Sequence, residues 1–144
     1  MTQTVSGVKE MQANLAALGK KYSDAIAKAA FAAAQSVRSD AIKSIQTVSS
    51  GNTVTRYRAD GTPYKHTASK EGDAPNTDTG DLVKSVQVEV KPDGVYVGSR
   101  LEYAGHLEFR LNRPWLIPAL EKNRKLIRDT MGKNIDAITR SFNK

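Results

Sequence analysis

Apolar residues in the first third of the chain recur every three or four positions between Val8 and Ile45. This spacing places them on one face of an α-helix and continues for about ten turns. It predicts a long helix within a helical segment at residues 1–48, which the sequence SSGN at 49–52 would end. Gly19 could bend or divide the helix, since glycine costs about 1 kcal/mol relative to alanine there. The apolar positions are Val8, Met11, Leu15, Leu18, Tyr22, Ile26, Ala29, Ala33, Val37, Ala41 and Ile45.

Residues 52–80 are polar and rich in turn-forming residues. The stretches VTRYR and PYKHT flank ADGT, a pattern that favours a β-hairpin with Asp60 and Gly61 in its turn. The segment offers almost no apolar residues to stabilise such a hairpin by itself. Long polar segments within compact domains are usually functional or disordered, so we expect a flexible arm or hairpin here.

The hydrophobic period changes to two after this arm, which indicates a β-hairpin over residues 82–98. Three valines alternate with polar residues, KPDG supplies a turn, and two further valines return on the second strand: Val86, Val88, Val90, Val95 and Val97. One face of this hairpin is expected to be buried. Residues 99–109 then place Leu101, Ala104 and Leu107 three apart, which favours a helical turn or a bent segment.

Helical spacing returns from Leu116 and predicts a C-terminal helix over residues 116–142. A helix accepts proline only in its first turn, so Pro118 marks the start. Pro114 restricts Arg113 to extended geometry and ends the preceding loop. The two prolines form a rigid corner around Trp115, the chain's only tryptophan, which we expect to pack against the sheet or the long helix.

The order of these elements is helix, strands, helix, without the strand–helix–strand alternation of a parallel sheet. It predicts an α+β fold in which a long N-terminal helix and a C-terminal helix pack on a small antiparallel sheet that carries a flexible polar arm. The 144 residues suit a single domain. No apolar stretch is long enough to cross a membrane, and the start MTQTVSGVKE lacks a signal-peptide pattern, so a cytosolic protein without membrane contact is expected.

The net charge of +7 is concentrated at the two ends of the chain. Residues 1–50 carry six basic and three acidic groups, and residues 113–144 carry eight and three. The excess fits contact with nucleic acid or an acidic protein, and equally a solvated helix face. The C-terminal helix lacks interleaved aromatic residues and a helix-turn-helix pattern, so only non-specific DNA contact is compatible with it.

The sequence gives little support for a catalytic or metal-binding motif. The triplet DTG at 78–80 occurs in aspartic proteases but lacks their flanking apolar strands here, which favours a turn in which Asp78 or Thr79 caps a helical turn through DLVKS. Glu102 and His106 could share a helix face, yet no third ligand has a suitable spacing. The chain has no cysteine, no glycine-rich phosphate loop and no nucleophile motif. We therefore expect no enzymatic activity, no cofactor and no metal.

Three stretches in order carry a family resemblance: APNTDTGDLVKSVQVEV (74–90), VYVGSRLEYAGHLEF (95–109) and RPWLIPALEKNR (113–124). Together they resemble the small neck proteins of long-tailed bacteriophages and prophages, described as tail-completion, head–tail joining or minor tail components. The matching motif residues are Thr79, Gly80, Leu82, Gly98, Tyr103, Glu108, Phe109, Arg113, Pro114, Trp115, Pro118 and Leu120, with Ser85, Val97, Ala104, Leu116 and Ala119 beside them. The sequence RLN stands where the family often has Gly-Thr after Glu-Phe.

The resemblance implies a structural virion protein that performs no chemistry and forms a ring between the phage head and tail. Its expected partners are further copies of itself, with six-fold symmetry, and neighbouring head-closure, tail-terminator or tail-tube proteins. It would lie in the virion tail or neck after assembly in the host cytoplasm, a position compatible with non-specific contact to DNA in the channel. The arm at 52–80 would then become ordered when a neighbouring subunit arrives. The alternative is a basic DNA-binding protein of phage or host.

Overall fold

The computed structural model describes residues 7–143. In chain order the elements are α1 (Val8–Gln46), β1 (Thr53–Tyr57), β2 (Pro63–Thr67), α2 (Asp81–Ser85), β3 (Gln87–Lys91), β4 (Gly94–Gly98), α3 (Glu102–Phe109) and α4 (Ile117–Phe142). The four strands form two separate two-stranded antiparallel sheets, β1–β2 and β3–β4. The predicted α+β class with long terminal helices is therefore confirmed.

Helix α1 continues for 39 residues and is not broken at Gly19. It ends at Gln46, where the Thr47 N–H donates to the carbonyl of Lys43. The predicted helical segment also included residues 1–6, which lie outside the described part of the chain. The buried side chains of α1 all lie in its C-terminal half: Ala29, Ala33, Ala34, Val37, Ala41 and Ile45. The apolar face continues toward the N-terminus, but there it is exposed.

Helices α1 and α4 run antiparallel. At one end the Ser44 hydroxyl, which donates to the Ala41 carbonyl at 2.7 Å, also lies 3.4 Å from the carbonyl oxygen of Trp115, and at the other the hydroxyls of Tyr22 and Thr139 are hydrogen-bonded at 2.6 Å. Phe142, the last residue of α4, lies beside Lys21, whose ammonium is 5.9 Å from the ring centre. Residues 8–20 consequently project past the end of α4, and we call them the α1 extension.

The hydrophobic core lies where the C-terminal half of α1 meets α2, α3 and the start of α4. Alanines of three helices sit within it, and their small side chains let the backbones approach closely. The eight buried residues of the cluster are Val37, Ala41, Ile45, Leu82, Val86, Ala104, Trp115 and Ala119. The guanidinium of Arg38 donates to the carbonyl of Val86 at 2.8 Å, which attaches the β3–β4 hairpin to α1.

Both predicted hairpins are present, with one difference in burial. In the first, Thr53 pairs with Thr67 and Gly61 takes the turn with φ of 82°, a conformation that favours glycine. In the second, Gln87 pairs with Gly98. Its predicted buried face is only partly covered, because Val88 is half-buried and Val90 is 60% exposed.

The segment before the second hairpin differs from prediction in two ways. Asp81–Ser85 forms the short helix α2, so the hairpin expected over 82–98 begins only at Gln87. Neither Asp78 nor Thr79 is the N-cap residue, because Gly80 occupies that position with φ of 82° and no side-chain hydrogen bond. The Thr79 hydroxyl nevertheless accepts from the Asp81 N–H at 3.4 Å and donates to the Asp81 carboxylate at 2.6 Å.

The polar arm at 52–80 is tied to the rest of the fold near its base. Asn76 accepts from the Ser49 N–H at 2.7 Å, and its amide donates to the carbonyls of Ser49 and Thr67. A Cβ on Gly51 would lie 2.2 Å from the carbonyl oxygen of Ala68, so the two legs of the arm touch where only glycine fits. Whether the arm moves in the isolated subunit remains a prediction.

Candidate assembly interface

Trp115 occupies the centre of the corner between α3 and α4, and only 3% of its surface is exposed. Its indole Nε1–H donates to the carbonyl of Ala104 at 3.2 Å. Its own carbonyl accepts from the Ser44 hydroxyl of α1 at 3.4 Å. The indole packs in the core against α1, as predicted, and it joins α1, α3 and the start of α4.

The buried carboxylate of Glu108 caps the N-terminal end of helix α4. Its Oε2 accepts from the backbone N–H groups of Trp115 at 2.7 Å and Leu116 at 3.0 Å, and its Oε1 accepts from Ile117 at 2.9 Å. The first N–H groups of a helix have no partner within the helix, and Pro118 has no N–H. The Glu108 side chain of α3 therefore accepts the hydrogen bonds that an N-cap side chain usually accepts at the start of its own helix.

Sequence reasoning placed Glu108 in the motif without finding this role. One local signal was present: Glu108 lies in the last turn of α3, where the negative end of the helix dipole disfavours an acidic residue. Such an acid needs compensation from outside its own helix. The positive N-terminal end of α4 supplies it, together with three N–H donors.

A second polar cluster forms around Asp78, where the arm returns to the body. The guanidinium of Arg56 pairs with Asp78 Oδ2, and the Tyr64 hydroxyl donates to Oδ1 at 2.8 Å. His66 Nδ1 lies 3.6 Å from the same Oδ1. The hydrogen bond to Asp78 raises the pKa of the Tyr64 hydroxyl. The aspartate of the DTG triplet thus anchors the β1–β2 hairpin.

A pocket of about 340 Å³ opens between this hairpin, the loop before α2, and α3. Its lining combines apolar side chains such as Ile45 and Leu82 with polar ones such as Asp78 and Arg113. Tyr103 also lines it, and burial together with the nearby carboxylates of Asp81 and Asp78 raises the pKa of its hydroxyl.

The structure divides the motif residues into three groups. One lines the pocket: Thr79, Gly80, Leu82, Tyr103 and Arg113. A second builds the corner, where Glu108 and Trp115 are buried and Pro114 is half-buried. The third is exposed and consists of Phe109 at 75%, Leu120 at 44%, and Pro118. Gly98 lies apart from all three, at the end of β4.

The surroundings of Asp78 differ from those of the catalytic pair in aspartic proteases. Asp78 is held by an arginine and a tyrosine, unlike the paired carboxylates that share a proton in aspartic proteases. Residues 7–143 contain no group of three or more histidine, cysteine, aspartate or glutamate side chains that could hold a metal ion. The motif residues thus define a protein built around a buried corner, an adjoining pocket and exposed apolar side chains.

The sequence model of one protein family matches residues 9–109, and the family is described as "Bacteriophage HK97-gp10, putative tail-component". The match covers well over half of the chain, so the protein belongs to this HK97-gp10-like family. It ends at Phe109, and the corner at 113–120 therefore lies outside it. Neither the curated proteins nor the solved structures that were compared contain a match.

Family membership makes this chain a structural protein of the phage tail-component class, which is generally non-enzymatic and belongs to the virion. Its expected partners are other phage structural proteins. Within the described residues, no helix is both long and apolar enough to cross a membrane.

Proposed function

We propose that this protein is a ring-forming tail-completion or head–tail connector component that joins the phage head and tail. Its partners would be identical copies in a six-fold ring and the adjacent head-closure and tail-terminator or tail-tube proteins. It would assemble in the host cytoplasm, remain in the neck of the virion, and catalyse no reaction. The motif residues would hold the corner and the surfaces by which subunits meet.

The observation that carries this proposal is the apolar face of the α1 extension. Val8, Met11 and Leu15 are 40%, 57% and 59% exposed, although their spacing is that of a buried helix face. Helix α4 ends before it can cover them. Exposed apolar surface of this kind marks protein contact sites, and contact between different surfaces of identical subunits closes rings.

A single aspartate on the extension tests the proposal. Leu15→Asp adds a charge to the apolar face at an exposed position, so the subunit should stay folded and lose its self-association. Gln12→Asp is the matched control, because Gln12 is exposed on the same extension but lies outside the apolar pattern. Light scattering and electron microscopy of the purified protein measure assembly. Rings that form equally well with Leu15→Asp would contradict the role of the α1 extension, and wild-type protein that forms no ring would contradict the proposal.

The second candidate is a DNA-binding protein, which the basic surface of α4 favours. Lys122, Arg124 and Lys125 pair with carboxylates, whereas Arg128, Lys133 and Arg140 form no ion pair within residues 7–143. Phosphate contacts weaken steeply with salt, but apolar contacts between subunits do not. DNA binding that is lost between about 0.05 and 0.2 M salt, without any ring, would favour this second function.

A further inference from the structure

The guanidinium of Arg113 lines the pocket and forms no ion pair within residues 7–143. Its one side-chain hydrogen bond among these residues runs from Nη1 to the Ser69 hydroxyl at 3.3 Å, and Ser69 is itself buried. In the part of the chain that the structure describes, Arg113 Nε is the one buried side-chain nitrogen or oxygen atom without a hydrogen-bond partner. Buried polar groups are almost always paired, so this exception needs an explanation.

Three carboxylates close to Arg113 in the pocket or in the sequence are engaged elsewhere. Asp78 binds Arg56 and Tyr64, and Asp81 accepts from the Thr79 hydroxyl. Glu108, five residues before Arg113, uses both of its oxygens for the N–H groups that begin α4. None of these three acids lies within 4.0 Å of the Arg113 guanidinium, so the arginine lines the pocket without forming an ion pair with them.

A planar guanidinium in such a setting is suited to a carboxylate, which can accept two parallel N–H bonds from it. The pocket supplies the remaining features of a side-chain site. Its floor includes the buried Ile45 and Leu82, which can contact the aliphatic stem of an acidic residue. Its volume of about 340 Å³ is enough for one side chain and the atoms next to it.

We propose that this pocket binds an aspartate or glutamate side chain from a neighbouring protein subunit, with Arg113 as the residue that recognises its carboxylate. Asp78 and Asp81 line the same pocket, and their negative charge disfavours doubly charged inorganic phosphate more than a singly charged carboxylate. That the acidic side chain comes from a neighbour in the phage particle is the only part of this inference that rests on the proposed function. Carboxylate binding itself is a property of the single subunit.

The test uses propionate as a small mimic of a glutamate side chain. The isolated, ¹⁵N-labelled protein is titrated with sodium propionate, with sodium chloride at equal ionic strength, and with inorganic phosphate, while the arginine Nε–Hε signals are followed by NMR. Propionate should shift the Arg113 signal in a saturable way, together with the backbone signals of Ser69 and Leu82. Chloride should leave these signals unchanged, and phosphate should bind more weakly than propionate.

Arg113→Lys keeps the charge but removes the planar pair of donors, so propionate affinity should fall about ten-fold or more. Arg110→Lys is the matched control, because Arg110 is exposed and lies outside the pocket. Equal shifts with chloride, tighter binding of phosphate, or full propionate affinity in a folded Arg113→Lys protein would overturn the inference. If Arg113→Lys does not fold, the test rests on which wild-type NMR signals propionate shifts. Shifts that lie outside the pocket would overturn the inference. None of these results depends on ring formation, so this inference and the proposed function can fail independently.

Discussion

The side-chain carboxylate of Glu108 lies 2.7 Å from the backbone nitrogen of Trp115. The indole of the same tryptophan donates back to α3 through the carbonyl of Ala104. Both hydrogen bonds run from Trp115 to α3, one from its backbone N–H and one from its indole, and both are buried. They determine the angle at which the last helix leaves the corner, which makes the Glu-Phe and Arg-Pro-Trp sequences parts of one structural unit.

Removing the Glu108 carboxylate should destabilise the fold. Glu108→Ala leaves three N–H groups at the start of α4 without their acceptor and should lower the free energy of unfolding by about 2–4 kcal/mol. Glu108→Gln keeps one acceptor oxygen and should lose about half as much. Urea unfolding at neutral pH measures both. Glu102→Ala is the control, because Glu102 is exposed in the same helix, and similar losses in all three variants would contradict the assigned role.

Variants of Trp115 and of the two neighbouring prolines should distinguish a role in folding from a role in assembly. Trp115→Ala should lower the free energy of unfolding by about 3–5 kcal/mol, because it empties part of the core. Pro114→Ala and Pro118→Ala should cost little stability and yet assemble poorly, since each loosens the direction of the corner. Thermal melting of the purified variants is compared with completion of infectious tails in a defective lysate. Proline variants that complete tails as well as the wild type would show that the corner contributes only to packing.

The contact between α1 and α4 at Asp40 should make stability depend on pH. Hydrogen bonds from the Asn123 amide and the Lys122 ammonium hold the pKa of the Asp40 carboxyl below its usual range. The unfolded chain therefore takes up the proton first as pH falls. The stabilisation is complete above the unfolded pKa, about 4, and is lost as pH falls through the lower pKa of the folded state.

Asp40→Ala should accordingly lower the free energy of unfolding by about 1–2 kcal/mol at neutral pH, since the buried Asn123 amide loses an acceptor. The difference from wild type should shrink toward zero in strong acid. Urea unfolding across this pH range provides the measurement. Asp24→Ala, which removes an exposed pair with Lys20, should have little effect at any pH. A difference for Asp40→Ala that is independent of pH would show that the charge of Asp40 does not matter.

The arm at 52–80 should be more accessible in the free subunit than in an assembly, and Asp78 should control its release. Trypsin is expected to cut the free subunit at exposed basic residues such as Arg58, and ring formation should suppress the cleavage. Asp78→Ala removes the acceptor of Arg56 and Tyr64, so cleavage should become several times faster. Asp93→Ala in the other hairpin should leave the rate unchanged. Equal protection of monomer and assembly would show that the arm does not become ordered on assembly.

Local patterns were sufficient to predict most elements of the fold. The three-to-four spacing from Val8 to Ile45 predicts α1, the turn at Asp60–Gly61 predicts the first hairpin, and Pro118 predicts the start of α4 to within one residue. Each depends on a short-range property: helical periodicity, positive φ in a turn, or the missing N–H of proline. The order of elements then predicts the α+β class, because helices and strands occur in separate blocks.

Other features depend on which residues meet across the fold, and tertiary structure alone decides them. The same apolar periodicity runs along all of α1, yet only its C-terminal half is buried, because α4 ends at Phe142 beside Lys21. Glu108 caps a helix other than its own, and Asp78 binds the arm instead of capping α2. A sequence pattern shows which face of a helix is apolar or which residue can accept a hydrogen bond, whereas the partner is determined by contacts between residues far apart in the chain. The Nε atom of Arg113, which has no hydrogen-bond partner within residues 7–143, belongs to this second kind, since an absent partner becomes visible only when the neighbouring side chains are in place.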